Sequence, residues 1–136
     1  DKNEQPEDVN QDMKHKVLQS MLQSNWNRYP AASYTDLEQK VGEYCGLAAS
    51  QVALGPGSAS IITTLLNYFA INRKRIIINL PSYSLFEYHC NTYNIPFEPW
   101  LLSDELNFDL FSMPVPDNNS VVIIASPNNP AGNTLE

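Results

Sequence analysis

Short apolar runs and longer helical stripes alternate along this chain. The clearest run covers residues 121–125, consecutive apolar residues that predict a strand buried on both faces, and Pro127 cannot continue a strand ladder. Earlier apolar runs predict further strands, and Pro96 and Pro99 place one of these towards the edge of a sheet. The predicted strands begin near residues 52, 76, 97 and 121.

Apolar residues at helical spacing predict the intervening helices. An acidic first turn and an apolar stripe predict a helix over residues 6–24. A capping-box pattern at residues 35–38 predicts a second helix that ends at Gly46. Two more helices are predicted near residues 58 and 83. This order of elements predicts an α/β fold with three layers, α/β/α, around a mostly parallel sheet.

Composition limits the classes of function. The 136 residues are 43% hydrophobic and carry a formal net charge of −7, with 8 lysine and arginine residues. The acidity argues against nucleic-acid and membrane partners, and no apolar run reaches the length of a membrane span. We expect a cytoplasmic protein without a metal site, in which Cys45 and Cys90 are reduced packing residues. His89 is expected on a helix surface.

A glycine-containing turn precedes the helix near residue 58. Gly55 and Gly57 follow a short apolar run, and Ser58 and Ala59 then begin the helix. Such a turn leaves backbone N–H groups unpaired at the positive end of the helix dipole, so it predicts an anion site that suits a phosphate. A plain helix start with Ser58 as N-cap is the alternative.

Nucleotide-binding loops do not match this turn. No lysine follows the glycines as a Walker loop requires, and Ser60 occupies the position of the third glycine in a dinucleotide fingerprint. The next predicted strand, residues 75–80, ends without an acidic residue. These differences weaken both nucleotide interpretations.

Two further side chains, Tyr83 and Asn129, follow the ends of predicted strands. Because the carboxyl ends of parallel strands share one edge of a sheet, we expect both side chains near the anion site. An anion site, a flat aromatic ring and a polar amide together predict a pocket for a phosphorylated aromatic ring. Taken alone, packing is the commoner explanation for Tyr83, and an ordinary turn is the better explanation for Asn129.

The surrounding motifs resemble those of the fold-type I pyridoxal-phosphate aminotransferases, in particular the histidinol-phosphate aminotransferase group. Residues 127–132 resemble the P-N-N-P-[TA]-G loop, and residues 81–86 resemble P-[TS]-Y-[SG]-x-[YF]. Residues 55–58 resemble the G-x-G-[SA] turn, and residues 27–30 resemble N-R-Y-P. A polar arm at residues 3–6 resembles the family's arm across the active-site mouth.

The resemblance implies the cofactor pyridoxal 5'-phosphate and a role for each matching residue. The amides of Ser58 and Ala59 would hold the cofactor phosphate. Tyr83 would stack on the pyridine ring, and Asn129 would hydrogen-bond the phenolic oxygen. Tyr29 would reach the cofactor phosphate of a neighbouring subunit, which implies a homodimer with shared active sites.

The function implied by the resemblance is amino-group transfer in amino-acid biosynthesis. The amino donor would be an amino acid or an amino-alcohol phosphate, with histidinol phosphate leading, and the acceptor a 2-oxo acid. Ala59 and Ser60 depart from the acidic pair of the family's turn. Two alternatives stay open: a phosphothreonine decarboxylase-like enzyme of the same fold, and a noncatalytic binding or dimerisation module.

The resemblance also implies a division of the chain. Residues 1–34 would form the arm, first helix and interface loop, and residues 35–136 the first part of the cofactor-binding large domain. None of the lysines follows a buried strand beside the predicted pocket. We therefore expect the Schiff-base lysine beyond residue 136, and no transaminase activity from these residues alone.

Overall fold

The computed structural model describes residues 5–29 and 34–135. They form two compact units, one up to Val52 and the other from Ala53 onward. The arm expected at residues 3–6 lies largely outside the described residues, and the functional division at residue 34 stays a prediction. Within the described ranges, no helix combines the length and apolar character needed to cross a membrane.

The first unit opens with helix α1, Gln11–Leu22. It begins later than the sequence predicts because Asn10 is its N-cap: the Asp12 N–H donates to Asn10 Oδ1 at 2.8 Å. A polar side chain at this position satisfies one of the free donors of the first turn. The acidic residues before Asn10 therefore precede the helix instead of forming its first turn.

Helix α2, Thr35–Cys45, ends at Gly46 as predicted, and the φ of 70° at Gly46 is left-handed. The N-cap is Tyr34, so the capping-box interpretation, which needs Thr35 in that place, is wrong by one position. A 3₁₀ turn, Ala49–Gln51, follows and packs against α2.

The second unit contains a three-stranded parallel sheet. Its strands are β1, Arg75–Leu80, β2, Phe97–Leu101, and β3, Ser120–Ile123. Their order is β2-β1-β3, so β1 is central and β2 lies at an edge, where its proline predicts it.

Two strand predictions need correction. The run near residue 52 forms no strand among the described residues, because the Val52 N–H closes the 3₁₀ turn by donating to the Ala49 carbonyl at 3.0 Å. An apolar run becomes a strand only where another strand supplies hydrogen bonds. Strand β3 ends at Ile123 and is half-buried, since it is an edge of the described sheet.

Helices of the second unit pack on one face of β1. Helix α3 is Ser58–Ile71 and helix α4 is Leu85–Thr92. Each fully buried large apolar side chain contributes roughly 1.5–3 kcal/mol to folding. The core cluster comprises Leu66, Ile76, Ile78, Phe86, Cys90 and Ile95. These helices on a parallel sheet confirm the α/β fold class.

The opposite face of β1 carries Ile77 and Asn79, which are both fully buried. Trp100 of β2 is in register with Asn79 and is also fully buried. Its Nε1 donates to the Asp109 carbonyl at 2.9 Å, and its ring lies 5.5 Å from that of Phe108. The loop after β2 therefore covers this face near Asn79.

The observed positions of two side chains, His89 and Cys45, differ from the sequence predictions. His89 is buried at 4% exposure, and its Nε2 lies 3.1 Å from Asn67 Oδ1, so it joins α4 to α3 instead of facing solvent. Cys45 is exposed at the end of α2, whereas Cys90 is a buried core residue. Of the two cysteines, Cys90 has the predicted packing role.

Candidate ligand site at the carboxyl edge of the sheet

Three segments lie at or near the carboxyl edge of the parallel sheet: the one after β1, the one after β3 and the start of α3. Strands β1 and β3 are parallel neighbours, so the residues that follow them share this edge. Helix α3 joins β1 through residues 72–74 and packs on it, so the two run antiparallel. The helix has 14 residues and the strand 6. Each therefore spans about 20 Å, and α3 begins near the level at which β1 ends.

Gly57 shapes the turn before α3. It is the N-cap, with φ 86° and ψ 158°, a conformation that favours glycine. Its N–H donates to the Gly55 carbonyl at 2.7 Å. Ser58 is therefore the first helical residue and not the N-cap, and no side chain caps this helix. The N–H groups of Ser58 and Ala59 have no intrahelical acceptor and are free to bind an anion.

Gly55 allows the turn to approach α3 closely. A Cβ at this position would lie 2.9 Å from Cγ1 of Ile61, closer than side chains approach each other. Because glycine has no Cβ, the turn can fold onto the first turn of the helix. Its shape fixes the direction of the free amides.

Tyr83 lies between the end of β1 and the start of α4. Its side chain is 37% exposed and meets Phe86 edge to face, with ring centroids 5.7 Å apart and an interplanar angle of 86°. This contact supports the ring from one side and leaves part of it open. The ring is therefore a platform on which a planar ligand can stack.

The loop after β3 places two adjacent asparagines in different environments. Asn128 is buried and Asn129 is exposed. Two backbone hydrogen bonds close the loop: Asn128 N–H donates to the Asn133 carbonyl at 2.7 Å, and Gly132 N–H donates to the Asn128 carbonyl at 2.6 Å. The left-handed φ of 78° at Gly132 permits this closure. Asn129 is thus presented on the outside of a closed loop.

Sequence reasoning missed Asn79 in β1. Its Nδ2 donates to Asn128 Oδ1 at 3.2 Å, and Asn128 Nδ2 donates to the Pro81 carbonyl at 3.0 Å. These bonds connect the segment before Tyr83 with the loop that carries Asn129. A signal was present in the sequence, because an asparagine after three isoleucines in a buried strand must find hydrogen-bond partners.

Tyr29 belongs to the first unit. Its side chain is 100% exposed, beyond the end of α1. Full exposure suits a side chain that would act in a neighbouring subunit. That role stays a prediction.

The side chains predicted to bind at this edge are uncharged, whereas the basic residues 73–75 lie at the amino end of β1. There Arg75 Nη2 lies 2.7 Å from Glu98 Oε2. The Arg75 guanidinium donates to the Glu98 carboxylate, and this hydrogen bonding raises the pKa of Arg75 and holds the pKa of Glu98 below its usual value. An anion at the carboxyl edge would instead be held by the backbone N–H groups and hydroxyls of the α3 turn.

The residues at this edge suit a planar ligand that carries a phosphate. The free amides suit a phosphate, the Tyr83 ring suits stacking, and the Asn129 amide suits a hydrogen bond to a ring substituent. The described residues contain no cluster of metal-ligating side chains. Their lysines lie in α1, in α2 and before β1: Lys14, Lys16, Lys40 and Lys74.

The chain is similar to known proteins along its whole length. Residues 1–136 match the family described as "Aminotransferase class I and II". The histidinol-phosphate aminotransferase of Pyrococcus furiosus is 30% identical over 135 residues, which cover 98% of this chain and 39% of that protein. The chain therefore spans about two fifths of the length of the curated relatives it matches.

Solved structures show the same fold. A Burkholderia pseudomallei protein described as a candidate aminotransferase superposes with a TM-score of 0.82 at 20% identity, covering 99% of this chain and 41% of that one. A candidate histidinol-phosphate aminotransferase from Erwinia carotovora gives a TM-score of 0.77 at 20% identity, covering 99% and 40%. At this identity the likeness concerns the fold alone.

Proposed function

Because this chain belongs to the class I and II aminotransferase family, we propose that the protein in its natural form is a pyridoxal-phosphate-dependent aminotransferase. One observation carries the proposal: hydrogen bonds join the segments that bear Tyr83 and Asn129 at the carboxyl edge of the sheet, and the lengths of α3 and β1 place the start of α3 near the same level. These segments offer a phosphate site, a stacking surface and an amide to the same ligand.

Each of these residues would hold a different part of the cofactor. Ser58 and Ala59 would bind the phosphate through their backbone N–H groups. Tyr83 would lie against the ring, and the Asn129 amide would donate a hydrogen bond to the phenolic oxygen. When bound, pyridoxal phosphate supplies an electron sink that stabilises negative charge on the substrate during amino transfer.

The contribution of this chain is orientation. Three separate contacts, at the phosphate, the ring face and the phenolic oxygen, would fix the ring in one pose because each lies on a different segment of the chain. The segments that bear Tyr83 and Asn129 follow β1 and β3. Both strands belong to the hydrogen-bonded sheet and contact the packed core, which limits the movement of these segments.

Catalysis requires a lysine to carry the cofactor and an acidic partner for the pyridine nitrogen. We propose that both lie beyond these 136 residues, in keeping with the 39% coverage of the Pyrococcus furiosus relative. We accordingly expect the 136 residues alone to lack transaminase activity and to bind the cofactor weakly.

Histidinol phosphate is the amino donor that we propose first, and a 2-oxo acid the acceptor. The relatives named histidinol-phosphate aminotransferase support this choice. The same proposal includes a homodimer that shares its sites through Tyr29, a cytoplasmic location and a place in amino-acid biosynthesis. The full exposure of Tyr29 is compatible with its role in that assembly.

An assay of the full-length protein tests the proposal. Protein supplied with pyridoxal phosphate would be incubated with a 2-oxo acid and either histidinol phosphate or phosphothreonine, while the amino acid formed and any carbon dioxide released are measured. We expect amino acid to form from the 2-oxo acid with histidinol phosphate as donor. Carbon dioxide release without amino transfer would instead indicate a decarboxylase, and the absence of both products would indicate a binding module.

A further inference from the structure

We propose that Asn79 is a positioning residue that holds Tyr83 and Asn129 in one fixed arrangement, through a buried amide network shared with Asn128. The inference rests on the proposed function and adds a residue to it. Asn79 would not touch the cofactor. It would act through the two segments that present the cofactor-binding side chains.

Asn79 is a polar side chain in the centre of the sheet. It lies in β1 with no exposed area, on the face opposite the core cluster and in register with Trp100. Burying an amide is unfavourable unless its hydrogen bonds are made. The surroundings of Asn79 must therefore supply partners, and the position of those partners defines its role.

The partners of Asn79 lie on both sides of the candidate site. Its Nδ2 donates to Asn128 Oδ1 at 3.2 Å, and its Oδ1 accepts from the Ala125 N–H at 3.4 Å. The same Oδ1 accepts from Ser82 Oγ, also at 3.4 Å. One amide thus contacts the segment just after β1 and the segment just after β3.

Asn128 completes the connection. Its Oδ1 receives the Asn79 donor while its Nδ2 donates to the Pro81 carbonyl at 3.0 Å. Its side chain is 3% exposed, so these bonds are sheltered from water. The loop after β3 is therefore tied to β1 at Asn79 and also to the segment immediately beyond β1.

The network ends next to the two side chains that would face the cofactor. Tyr83 directly follows Ser82, and Asn129 directly follows Asn128. The network side chains of Asn79, Ser82 and Asn128 are buried, whereas Tyr83 and Asn129 are open to solvent. Because neither segment can shift without breaking a buried hydrogen bond, the relative position of Tyr83 and Asn129 is fixed.

The chemistry of Asn79 is specific to an amide. The side chain must donate to Asn128 Oδ1 and accept from the Ala125 N–H at the same time, which a carboxylate cannot do. An apolar residue of similar size would leave Asn128 Oδ1 without its donor. Replacing Asn79 by an acidic or an apolar residue would therefore loosen the loop that carries Asn129 without removing the Asn129 side chain.

The test uses the full-length protein loaded with pyridoxal phosphate. Asn129 would donate to the phenolic oxygen, so the pH midpoint of the visible absorbance of the bound cofactor reports that contact. We would measure this midpoint and the cofactor Kd for wild type, Asn79→Ala, Asn129→Ala and the double variant. Asn119→Ala is the matched control, because its Nδ2 donates to the Arg73 carbonyl at 2.9 Å before the strands begin, at the edge of the sheet opposite the candidate site.

We expect Asn79→Ala to shift the midpoint in the same direction as Asn129→Ala, and the double variant to shift it no further than Asn129→Ala alone. The Kd should rise by about fivefold or more in Asn79→Ala, and Asn119→Ala should stay close to wild type. Asn128→Asp gives a second test, since it keeps the acceptor for Asn79 but loses the donor to Pro81, and should shift the midpoint by an intermediate amount.

A purely structural role for Asn79 predicts a different outcome: a lower thermal midpoint with an unchanged absorbance midpoint in both Asn79→Ala and Asn128→Asp. That result would overturn the inference while leaving the proposed function intact. Wild-type protein that acquires no cofactor absorbance would instead contradict the proposed function, and the inference with it.

Discussion

Asn128 and Asn129 are adjacent in the sequence, but their side chains lie in opposite environments. Asn128 is 3% exposed and bonds both Asn79 and the Pro81 carbonyl, whereas Asn129 is exposed on the same loop. One asparagine holds the loop in place, and its neighbour is free to meet a ligand.

Replacing each asparagine separately should distinguish these roles. Asn128→Ala leaves the buried donor of Asn79 and the Pro81 carbonyl without partners, so we expect it to lower the free energy of unfolding by about 1–3 kcal/mol. Asn129→Ala removes an exposed amide and should change stability by no more than about 0.5 kcal/mol. Denaturant unfolding of the full-length protein measures both, and equal losses of stability would contradict this assignment.

Gly57 should be required for the anion site. Its φ of 86° and ψ of 158° are strained for any side chain, so Gly57→Ala should cost about 1–3 kcal/mol and disturb the amides of Ser58 and Ala59. We expect weaker binding of pyridoxal phosphate in a fluorescence titration.

Gly46→Ala is the matched control for that variant. It also places a side chain at a left-handed position, with φ 70°, and should cost roughly 1–2 kcal/mol. Because Gly46 ends α2 and has no part in the turn before α3, its replacement should leave cofactor affinity unchanged. Equal loss of affinity in both variants would mean that global destabilisation, and not the anion site, explains the effect.

The ion pair between Arg75 and Glu98 should make stability depend on pH in acid. The pKa of Glu98 in the folded protein is lowered by the hydrogen bond from Arg75, so the unfolded state binds the proton more readily. This stabilisation is present above the ordinary pKa of a glutamate, about 4.3, and is lost as the pH falls through the lower folded value. Thermal unfolding across this range should show a weaker acid dependence in Glu98→Gln.

Glu105→Gln is the control, because it removes the same charge from a side chain whose partner is a hydroxyl and not a cation. Glu105 Oε2 accepts from Ser103 Oγ at 3.0 Å. We expect this control to keep the acid dependence of wild type. If Glu98→Gln and Glu105→Gln behave alike, the ion pair does not contribute.

His89 and Asn67 should stabilise the contact between α4 and α3. Their side chains meet at 3.1 Å in a partly buried position. We expect His89→Ala and Asn67→Ala to be coupled in a double-mutant cycle by about 0.5–1.5 kcal/mol. Additive losses in denaturant unfolding would show that the hydrogen bond contributes nothing measurable.

The parts of the fold that the sequence predicts are those with a local cause. Consecutive isoleucines predict the buried strand β1, and the left-handed glycine at residue 46 predicts the end of α2. The edge position of β2 follows from Pro99, which has no N–H for a ladder. The positions of Tyr83 and Asn129 beyond strand ends follow in turn from these assignments.

The features that the sequence did not predict depend on contacts between distant segments. Residues 52–54 have the apolar pattern of a strand, but no described strand pairs with them. The burial of His89 depends on how α4 is rotated against α3. The role of Asn79 depends on the register of β1 and β3, which brings Asn128 within hydrogen-bond distance from 49 residues away in sequence.

We propose that the carboxyl edge of this sheet holds pyridoxal phosphate in an aminotransferase. The most direct measurement is the denatured intact mass of the full-length protein from its own source cells, before and after borohydride reduction, which fixes an imine-bound cofactor to its lysine. We predict a chain longer than 136 residues whose mass after reduction includes one reduced pyridoxal-phosphate group. A natural chain of this length that gains no such group would contradict the claim and favour a binding module.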